Sequence, residues 1–350
     1  MSENSMRFAF DDIVKTKGWL EPLEPVGHDL DRPEFVACAK DGTVYATHRN
    51  GLTMIKDGRQ ALIRWPRAEG FMTNGFALLP DGRILLANLG SASGVWQWSA
   101  GDGIQPYLLE LDGVPLPPVN YVGADRQGRV WITVSTRMIP RDLAFRPDVA
   151  DGFIVLVDER GPRIVADQLA YTNEAHVDPD GKWLYVAETM RRCISRFPIL
   201  DGNTLGPKSV VAQFGPGTFP DGFTFDAQGG IWVAAIVGNR LVHVSASGVQ
   251  TVVLDDSDPS EIAATEQAFQ AGSFVRSHLE TGSARSLRSI SSVAFGGPDL
   301  RTLYLGSLAG SGIFRFRCAV AGAVPAHWGQ ESRIRDQELV ERNHTLGSDS

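Results

Sequence analysis

The sequence predicts an all-β fold, namely a six-bladed β-propeller with a short helical insertion before the sixth blade. Short segments rich in Val, Ile, Leu, Trp and Tyr are bounded by DG, QG or GG turns, which is the pattern of antiparallel strands. A turn glycine recurs at intervals of 40 to 53 residues, and a period of about 40–50 residues is typical of propeller blades. Six copies of the unit are present. A pair of β-sandwiches would leave this regular period unexplained.

The repeat predicts the order of the elements. Each unit contains a strand, a tight turn, a second strand and a third strand, and the sixth copy is centred near Asp299. We expect one propeller domain over residues 1–350, with blades at 26–325, a helical, lid-like insertion at 255–286 and a C-terminal tail at 326–350. Within the insertion, the segment PSEIAATEQAFQAGSFVRSHLETG predicts a helix with a cap signal at Ser260 or Pro259. The aligned turn glycines of the first five copies are Gly42, Gly82, Gly128, Gly181 and Gly229.

The composition restricts the class of partner. The 350 residues are 43% hydrophobic and 21% charged, a normal balance for a folded globular chain. The net charge of −8 argues against nucleic acid and anionic membranes, because both need a basic surface. We therefore expect a small-molecule partner, and the oligomeric state stays open. The chain has no apolar run of 18 residues, no signal-peptide pattern and no CxxC motif among its three cysteines, which together predict a cytoplasmic location.

A column of oxygen-bearing side chains runs through the repeat, eight positions before each aligned turn position. Because the first strand of each propeller blade lines the central channel, we expect these side chains to form one ring at one channel mouth. Carboxylate and amide oxygens are ligands that Ca²⁺, Mg²⁺ and Mn²⁺ prefer. The competing interpretation is that each residue only forms a turn at a strand start. The column consists of Glu34, Asn74, Asn120, Asn173, Asp221 and Ser291.

The second strand of each blade returns to the same mouth, so its end predicts a second set of polar groups there. This set comprises His48, Asn88, Ser135 and Glu188. Each of them is equally explained as a solvated strand end. His48 is the member of greatest interest, because a neutral imidazole beside a metal site moves protons near neutral pH.

Four segments resemble the SMP-30/gluconolactonase/LRE-like family of six-bladed, metal-dependent propellers. They are PEF (33–35), TNEAHVDPDGKWLYVAET (172–189), FPDGFTFDAQGGIWVA (219–234) and SVAFGGPDLRTLYLGS (292–307). The resemblance extends from about residue 30 to residue 317. It implies that Glu34, Asn173 and Asp221 hold one divalent cation, with calcium, magnesium, manganese, zinc and iron(II) as the candidates. It also implies that Asn120 contacts the substrate or the metal.

The chain departs from the family pattern at three places. Members that act on sugar lactones carry an arginine two residues before the third-blade asparagine, where this chain has Pro118. The fourth-blade motif has Glu174 in place of the usual glycine, and the insertion precedes the sixth blade. The long loop at 136–151 contains Arg137 and Arg141, which we expect to replace the missing arginine as carboxylate binders.

These observations predict a divalent-metal-dependent hydrolase that opens a lactone or a related ester. Asp221, Glu174 or His48 would activate the attacking water. Two alternatives stay open: a metal-dependent C–C lyase or aldolase that forms an enolate from a keto acid, and a non-catalytic interaction platform with a structural ion. The predicted substrate-binding residues are Asn120, Asn74, Arg137, Arg141 and Tyr121.

The side chains expected around the pocket favour an apolar or aromatic substrate. Tyr121 follows the third-blade asparagine, the long third-blade loop carries Met138 and Phe145, and the insertion carries Phe269 and Phe274. With one cation fewer than sugar lactonases have, the pocket is expected to bind polyhydroxy lactones such as gluconolactone poorly.

Overall fold

The computed structural model describes residues 14–15, 23–65 and 69–329. Its strands form six antiparallel blades arranged as a propeller, as the sequence predicts. The innermost strand of each blade lies beside the innermost strand of the next, and the last lies beside the first, so the ring is closed. No helix in this described part of the chain is long and apolar enough to cross a membrane.

The first half of the chain supplies two short N-terminal strands, three complete blades and one small hairpin. In chain order these strands are β1 (Val14–Lys15), β2 (Glu24–Val26), β3 (Val36–Cys38), β4 (Val44–His48), β5 (Gly51–Lys56), β6 (Arg59–Arg64), β7 (Thr73–Leu78), β8 (Ile84–Asn88), β9 (Gly94–Ser99), β10 (Gly103–Leu108), β11 (Glu110–Leu111), β12 (Val114–Pro115), β13 (Val119–Ala124), β14 (Val130–Val134), β15 (Gly152–Asp158) and β16 (Gly161–Leu169).

The second half supplies the remaining three blades and the two α-helices found among the described residues. Its strands are β17 (Thr172–Val177), β18 (Trp183–Glu188), β19 (Cys193–Leu200), β20 (Thr204–Leu205), β21 (Ser209–Gln213), β22 (Pro220–Phe225), β23 (Ile231–Ala235), β24 (Arg240–Val244), β25 (Gln250–Asp255), β26 (Ile290–Gly296), β27 (Thr302–Ser307) and β28 (Ile313–Arg317). The helices are α1 (Pro259–Gln270) and α2 (Arg276–Leu279), and 3-10 turns lie at Arg141–Ala144, Asp201–Asn203, Thr281–Ala284 and Ala326–Gly329.

The blades follow one another along the chain, with their innermost strands first. The first three are β3–β6, β7–β10 and β13–β16; the fourth is β17–β19 with β21, and the fifth is β22–β25 with β1 added outside. The sixth blade combines β26–β28 with β2, so its outermost strand comes from the other end of the chain. In that strand Pro25 lies opposite Phe314, and this pairing closes the ring of blades.

The repeated turn has a local physical cause. All five aligned glycines have φ between +74° and +87°, a region that other residues enter only with strain. In the third blade the Asp125 carboxylate accepts hydrogen bonds from the backbone N–H groups of the turn and from the Trp131 indole. Asp226 and Trp232 repeat the arrangement in the fifth blade. The turn therefore anchors a fully buried tryptophan in each of these two blades.

The predicted insertion is helical, but the structure divides the single predicted helix into α1 and α2, with non-helical residues at 271–275 between them. The N-cap of α1 is Asp258 rather than Pro259 or Ser260. The Asp258 carboxylate accepts hydrogen bonds from the backbone N–H groups of Ser260 and Glu261, and Pro259 occupies the first helical position. This difference arises because proline has no N–H to be capped and its fixed φ suits the first turn. The two helices and the adjoining 3-10 turn fill the space between β25 and β26. The three cysteines are buried and free.

Candidate metal and substrate site

The inner strands are interrupted by β-bulges at the polar column. The pairing register shifts between Thr73 and Phe76 in the second blade, and at the equivalent place in the third, fourth, fifth and sixth blades. Each shift contains the column residue, while in the first blade Glu34 lies just before β3. A bulge turns a side chain away from the regular pleat, and in these five blades it turns one polar side chain towards the axis.

The six column residues surround one small cavity of about 10 Å³, which is room for about one water molecule or ion. Its other lining residues include Tyr121 and Glu174. All six predicted ring positions are therefore brought together at one channel mouth. The predicted ligand residues Glu34, Asn173 and Asp221 are among them.

Hydrogen bonds between blades hold the ring together. Asn74 Nδ2 donates to the Asn120 carbonyl oxygen over 2.8 Å, and Asn120 Nδ2 donates to Asn173 Oδ1 over 2.6 Å. Asn173 Nδ2 in turn donates to Asp221 Oδ1. Ser291 Oγ completes the contact with the first blade by donating to the Glu34 carbonyl oxygen. The ring side chains thus connect neighbouring blades and satisfy the backbone carbonyl groups of Asn120 and Glu34, which is a structural role in addition to any ligand role.

The carboxyl groups of the ring are strongly desolvated. Burial raises the pKa of Asp221 well above its usual range, and the negative charges of Glu34 and Glu174 raise it further. Burial likewise raises the pKa of Glu174. Three acidic groups in one buried cavity are each more stable beside a positive charge than alone.

This donor set fits a hard divalent cation. Two carboxylates and an amide oxygen are the ligand types that such ions prefer. In the part of the chain that the structure describes, no cluster of three or more His, Cys, Asp or Glu side chains is arranged to hold a metal. The fit therefore depends on the Asn173 amide as the third donor from the protein.

A buried arginine that sequence analysis missed lies at the ring. The Arg32 guanidinium forms an ion pair with Glu34 and donates to Asn74 Oδ1 over 3.0 Å. Burial lowers the pKa of this guanidinium, and the Glu34 carboxylate opposes that effect. Arg32 adopts a φ of +61°, which turns its side chain back over the ring. The sequence shows that Arg32 precedes Glu34 by two positions, but it gives no sign that the two side chains form an ion pair at the ring.

The structure separates the two loop arginines that the sequence offered as substrate binders. Arg141 reaches the ring, where its Nη2 donates to Asn120 Oδ1 over 2.9 Å and to Ser135 Oγ over 3.0 Å. Arg137 is exposed and forms a two-pronged ion pair with Asp167. Its contacts lie on the outer part of the third blade, and none of them is with a ring residue.

Comparison with known proteins places the chain in a family. The model of the SMP-30/gluconolactonase/LRE-like region matches residues 30–272. The chain belongs to this family. A curated relative, the 6-deoxy-6-sulfogluconolactonase of Pseudomonas putida, is 30% identical over 72% of this chain and 73% of its own length.

Solved structures show the same fold at lower identity. A gluconolactonase of Xanthomonas campestris has a TM-score of 0.64 and 18% identity, covering 88% of this chain and 95% of that one. Regucalcin of Agrobacterium tumefaciens, a calcium-binding protein, has a TM-score of 0.62 and 19% identity, covering 86% and 94%.

Glu174, which directly follows the ring residue Asn173, is held by a chain of polar contacts. Its Oε2 lies 2.8 Å from His176 Nε2 and accepts from the Phe223 backbone N–H over 3.2 Å. His176 Nδ1 lies 3.2 Å from the Tyr121 hydroxyl. Sequence analysis named Glu174 and Tyr121 but missed His176, which follows Glu174 by two positions and therefore shares its face of β17.

The channel continues below the ring as a cavity of about 380 Å³ that opens on the opposite face of the propeller. Tyr121, Glu174 and Phe35 line both this cavity and the ring cavity, so they form the wall between them. His176 and Phe223 face the larger space.

The predicted second set of polar groups is only partly connected to the ring. Ser135 contacts it through Arg141, whereas Asn88 binds the backbone of its own loop and Glu188 pairs with Lys208 and Arg191. His48 is buried, and burial lowers the pKa of its imidazole. Its hydrogen bond within the described residues is with the Asn50 backbone N–H, and it does not line the ring cavity.

The aromatic side chains expected to face the substrate are instead packed together. Phe145, Phe269 and Phe274 are each at most 4% exposed, and Phe274 contacts the rings of Phe145, Phe219 and Phe269. They belong to an apolar cluster with Tyr171 that attaches the insertion to the propeller face. Their apolar surface is used in this packing, which removes the basis for expecting an apolar substrate.

Proposed function

We propose that this family member is a hydrolase that opens a lactone with the help of one divalent cation held by Glu34, Asn173 and Asp221. The observation that carries the proposal is the ring itself: one polar side chain from each blade, five of them at β-bulges, lines a single ion-sized cavity. Family membership and the lactonase name of the 30% identical relative support the reaction class. The calcium-binding structural neighbour makes calcium the first ion to test.

The cation, when bound, polarises the lactone carbonyl and favours water attack on it. Glu34 and Asp221 supply two negative charges to hold it, and Asn173 supplies a neutral amide oxygen. Because burial raises the pKa values of Asp221 and Glu174, a cation beside them would also relieve an electrostatic cost that the protein otherwise carries.

The remaining groups bind the substrate and move the proton. Asp221 accepts a proton from the attacking water. Alternatively Glu174, which is hydrogen-bonded to His176, accepts it. The water oxygen bonds to the carbonyl carbon, the ring carbon–oxygen bond breaks, and the departing oxygen takes up a proton to give a hydroxy acid. Asn74, Asn120 and Arg141 orient the lactone from the side of the second and third blades.

The direct test is hydrolysis of a lactone panel by the metal-depleted protein and by the protein with Ca²⁺, Mg²⁺ or Mn²⁺ restored. We expect activity to disappear on chelation and return with one of these ions. Asp221→Asn should lower the rate of lactone hydrolysis by a factor of at least about 10³, because the substitution removes both a charged metal ligand and a proton acceptor. Asp299→Asn, an exposed carboxylate in the sixth-blade turn, is the matched control.

Product analysis on a keto-acid panel with the same samples separates hydrolysis from carbon–carbon cleavage. Cleavage of a keto acid without lactone opening would contradict the proposal. Full activity of Asp221→Asn, or lactone opening that persists after complete chelation, would contradict the ligand assignment.

A further inference from the structure

Arg141 carries a positive charge at the ring that no carboxylate neutralises within the described residues. Its partners are all neutral: the Tyr171 hydroxyl at 2.7 Å from Nε, and Asn120 Oδ1 and Ser135 Oγ at 2.9 and 3.0 Å from Nη2. None of the hydrogen bonds in this described part of the chain uses its Nη1. The three contacts hold the guanidinium plane in one orientation, so it is pre-organised for a ligand.

A second guanidinium comes from the first blade, on the far side of the second blade from Arg141. Arg32 donates to Asn74 Oδ1, and Asn74 donates to the Asn120 carbonyl, so the two arginines flank two consecutive members of the ring. Arg32 is paired with Glu34.

A third guanidinium lies at the outer edge of the same site. Arg141 stacks on the Tyr171 ring at 5.1 Å, and Arg276 of α2 stacks on the Phe145 ring at 5.3 Å. These two rings contact each other with centroids 5.1 Å apart. Arg276 also pairs with Asp142, which directly follows Arg141, so the insertion and the third-blade loop hold both arginines beside one aromatic pair.

We propose that Arg141, supported by Arg32 and Arg276, forms an oxyanion-binding subsite beside the ring, so that the substrate carries an anionic substituent. This subsite rests on the proposed function: the substrate is then a lactone that bears a sulfonate, phosphate or carboxylate group. Guanidinium groups bind oxyanions through charge-assisted hydrogen bonds, and Nη1 of Arg141 is the nitrogen that the contacts to Tyr171, Asn120 and Ser135 leave available for one. The ring engages the lactone carbonyl, and Arg141 engages the substituent.

Kinetics with matched lactones test this subsite. The quantity to measure is kcat/KM for D-glucono-1,5-lactone and for its 6-phosphate, its 6-deoxy-6-sulfonate and the lactone with a carboxylate at C6. We expect at least one anionic lactone to be preferred by about 10- to 150-fold, the value of one charged hydrogen bond. Arg141→Met should abolish this ratio, and Arg141→Lys should retain part of it.

Arg146→Met is the matched control, because Arg146 lies on the same loop but is exposed and paired with Asp148. It should leave the preference unchanged. Hydrolysis of the neutral lactone with no preference for any anionic one would overturn the subsite while leaving the hydrolase proposal intact. An anionic preference that survives Arg141→Met would also overturn it.

A binding measurement separates the subsite from the reaction. Calorimetry with 1,5-anhydroglucitol and with its 6-phosphate and 6-sulfate uses ring compounds that cannot be hydrolysed. Tighter binding of an anionic form, with that gain lost in Arg141→Met, supports the subsite. If every lactone also proves inert, only the hydrolase proposal fails. Equal binding of the three compounds to the wild-type protein contradicts the subsite.

Discussion

Gly222, which follows Asp221 in the fifth blade, is needed to leave room for Glu174. A Cβ atom at this position would collide with Glu174 Oε1 and would lie 2.7 Å from the Ser291 carbonyl oxygen. Gly222→Ala should therefore displace Glu174 and lower kcat/KM for lactone opening by at least about tenfold, equivalent to about 1.4 kcal/mol. The free energy of unfolding should fall by about 1–3 kcal/mol through overpacking.

Gly215→Ala is the control for this change, because nothing lies within 4 Å of a Cβ atom at Gly215. Denaturant unfolding and initial rates are measured on both variants. Undiminished turnover by Gly222→Ala would show that the position of Glu174 is irrelevant to the reaction.

The sequence predicted the ring residues because their spacing from each turn glycine is constant, and a constant register in a propeller implies a common axis. It did not predict Arg32 or His176, because their contacts cross between blades and have no fixed offset in the repeat. Arg137 and Arg141 were indistinguishable in sequence. The 3-10 turn at Arg141–Ala144 directs the second of them to Asn120, while Asp167 binds the first.

Among the elements, the insertion depends on Phe274 for its attachment. This ring contacts three phenylalanines, one of them on the third-blade loop and one just before β22. Phe274→Ala should lower the free energy of unfolding by about 3–5 kcal/mol and expose residues 256–289 to proteolysis. Val275→Ala, at an exposed neighbouring position, should change it by less than about 0.5 kcal/mol. Equal protease resistance of Phe274→Ala and the wild type would contradict this role.

At the level of elements, α1 was predictable and the closing strand was not. The run of helix-forming residues after Asp258 has a cap, a first-turn proline and enough length to be recognised locally. β2 has only three residues and no copy of the repeat around it, and it becomes a strand because β28 offers an unpaired edge. The sequence also could not predict that Phe269 and Phe274 pack against other rings instead of facing a substrate, because this depends on which loops meet above the channel.

For the molecule as a whole, the buried carboxyl groups predict a pH dependence of stability in the absence of a cation. Burial raises the folded-state pKa values of Asp221 and Glu174, so the folded protein retains protons that the unfolded chain releases. These groups therefore make folding less favourable as pH rises from their ordinary pKa through the raised values. The wild type should gain stability relative to Asp221→Asn as pH falls from about 8 to about 5.

Denaturant unfolding of both proteins in a chelator measures this difference. With a saturating divalent cation the trend should reverse, because protons compete with the ion for the same oxygens. An identical pH dependence of the two proteins in chelator would contradict the assignment of a raised pKa to Asp221.

The most direct test of the whole account is anomalous scattering from crystals of a lactone-hydrolysing preparation loaded with Mn²⁺ or Ca²⁺. The account predicts one strong peak in the ring cavity, with oxygens of Glu34, Asn173 and Asp221 at about 2.0–2.6 Å from it. An active preparation without a peak in this cavity, or with its ion bound elsewhere, would contradict the central claim.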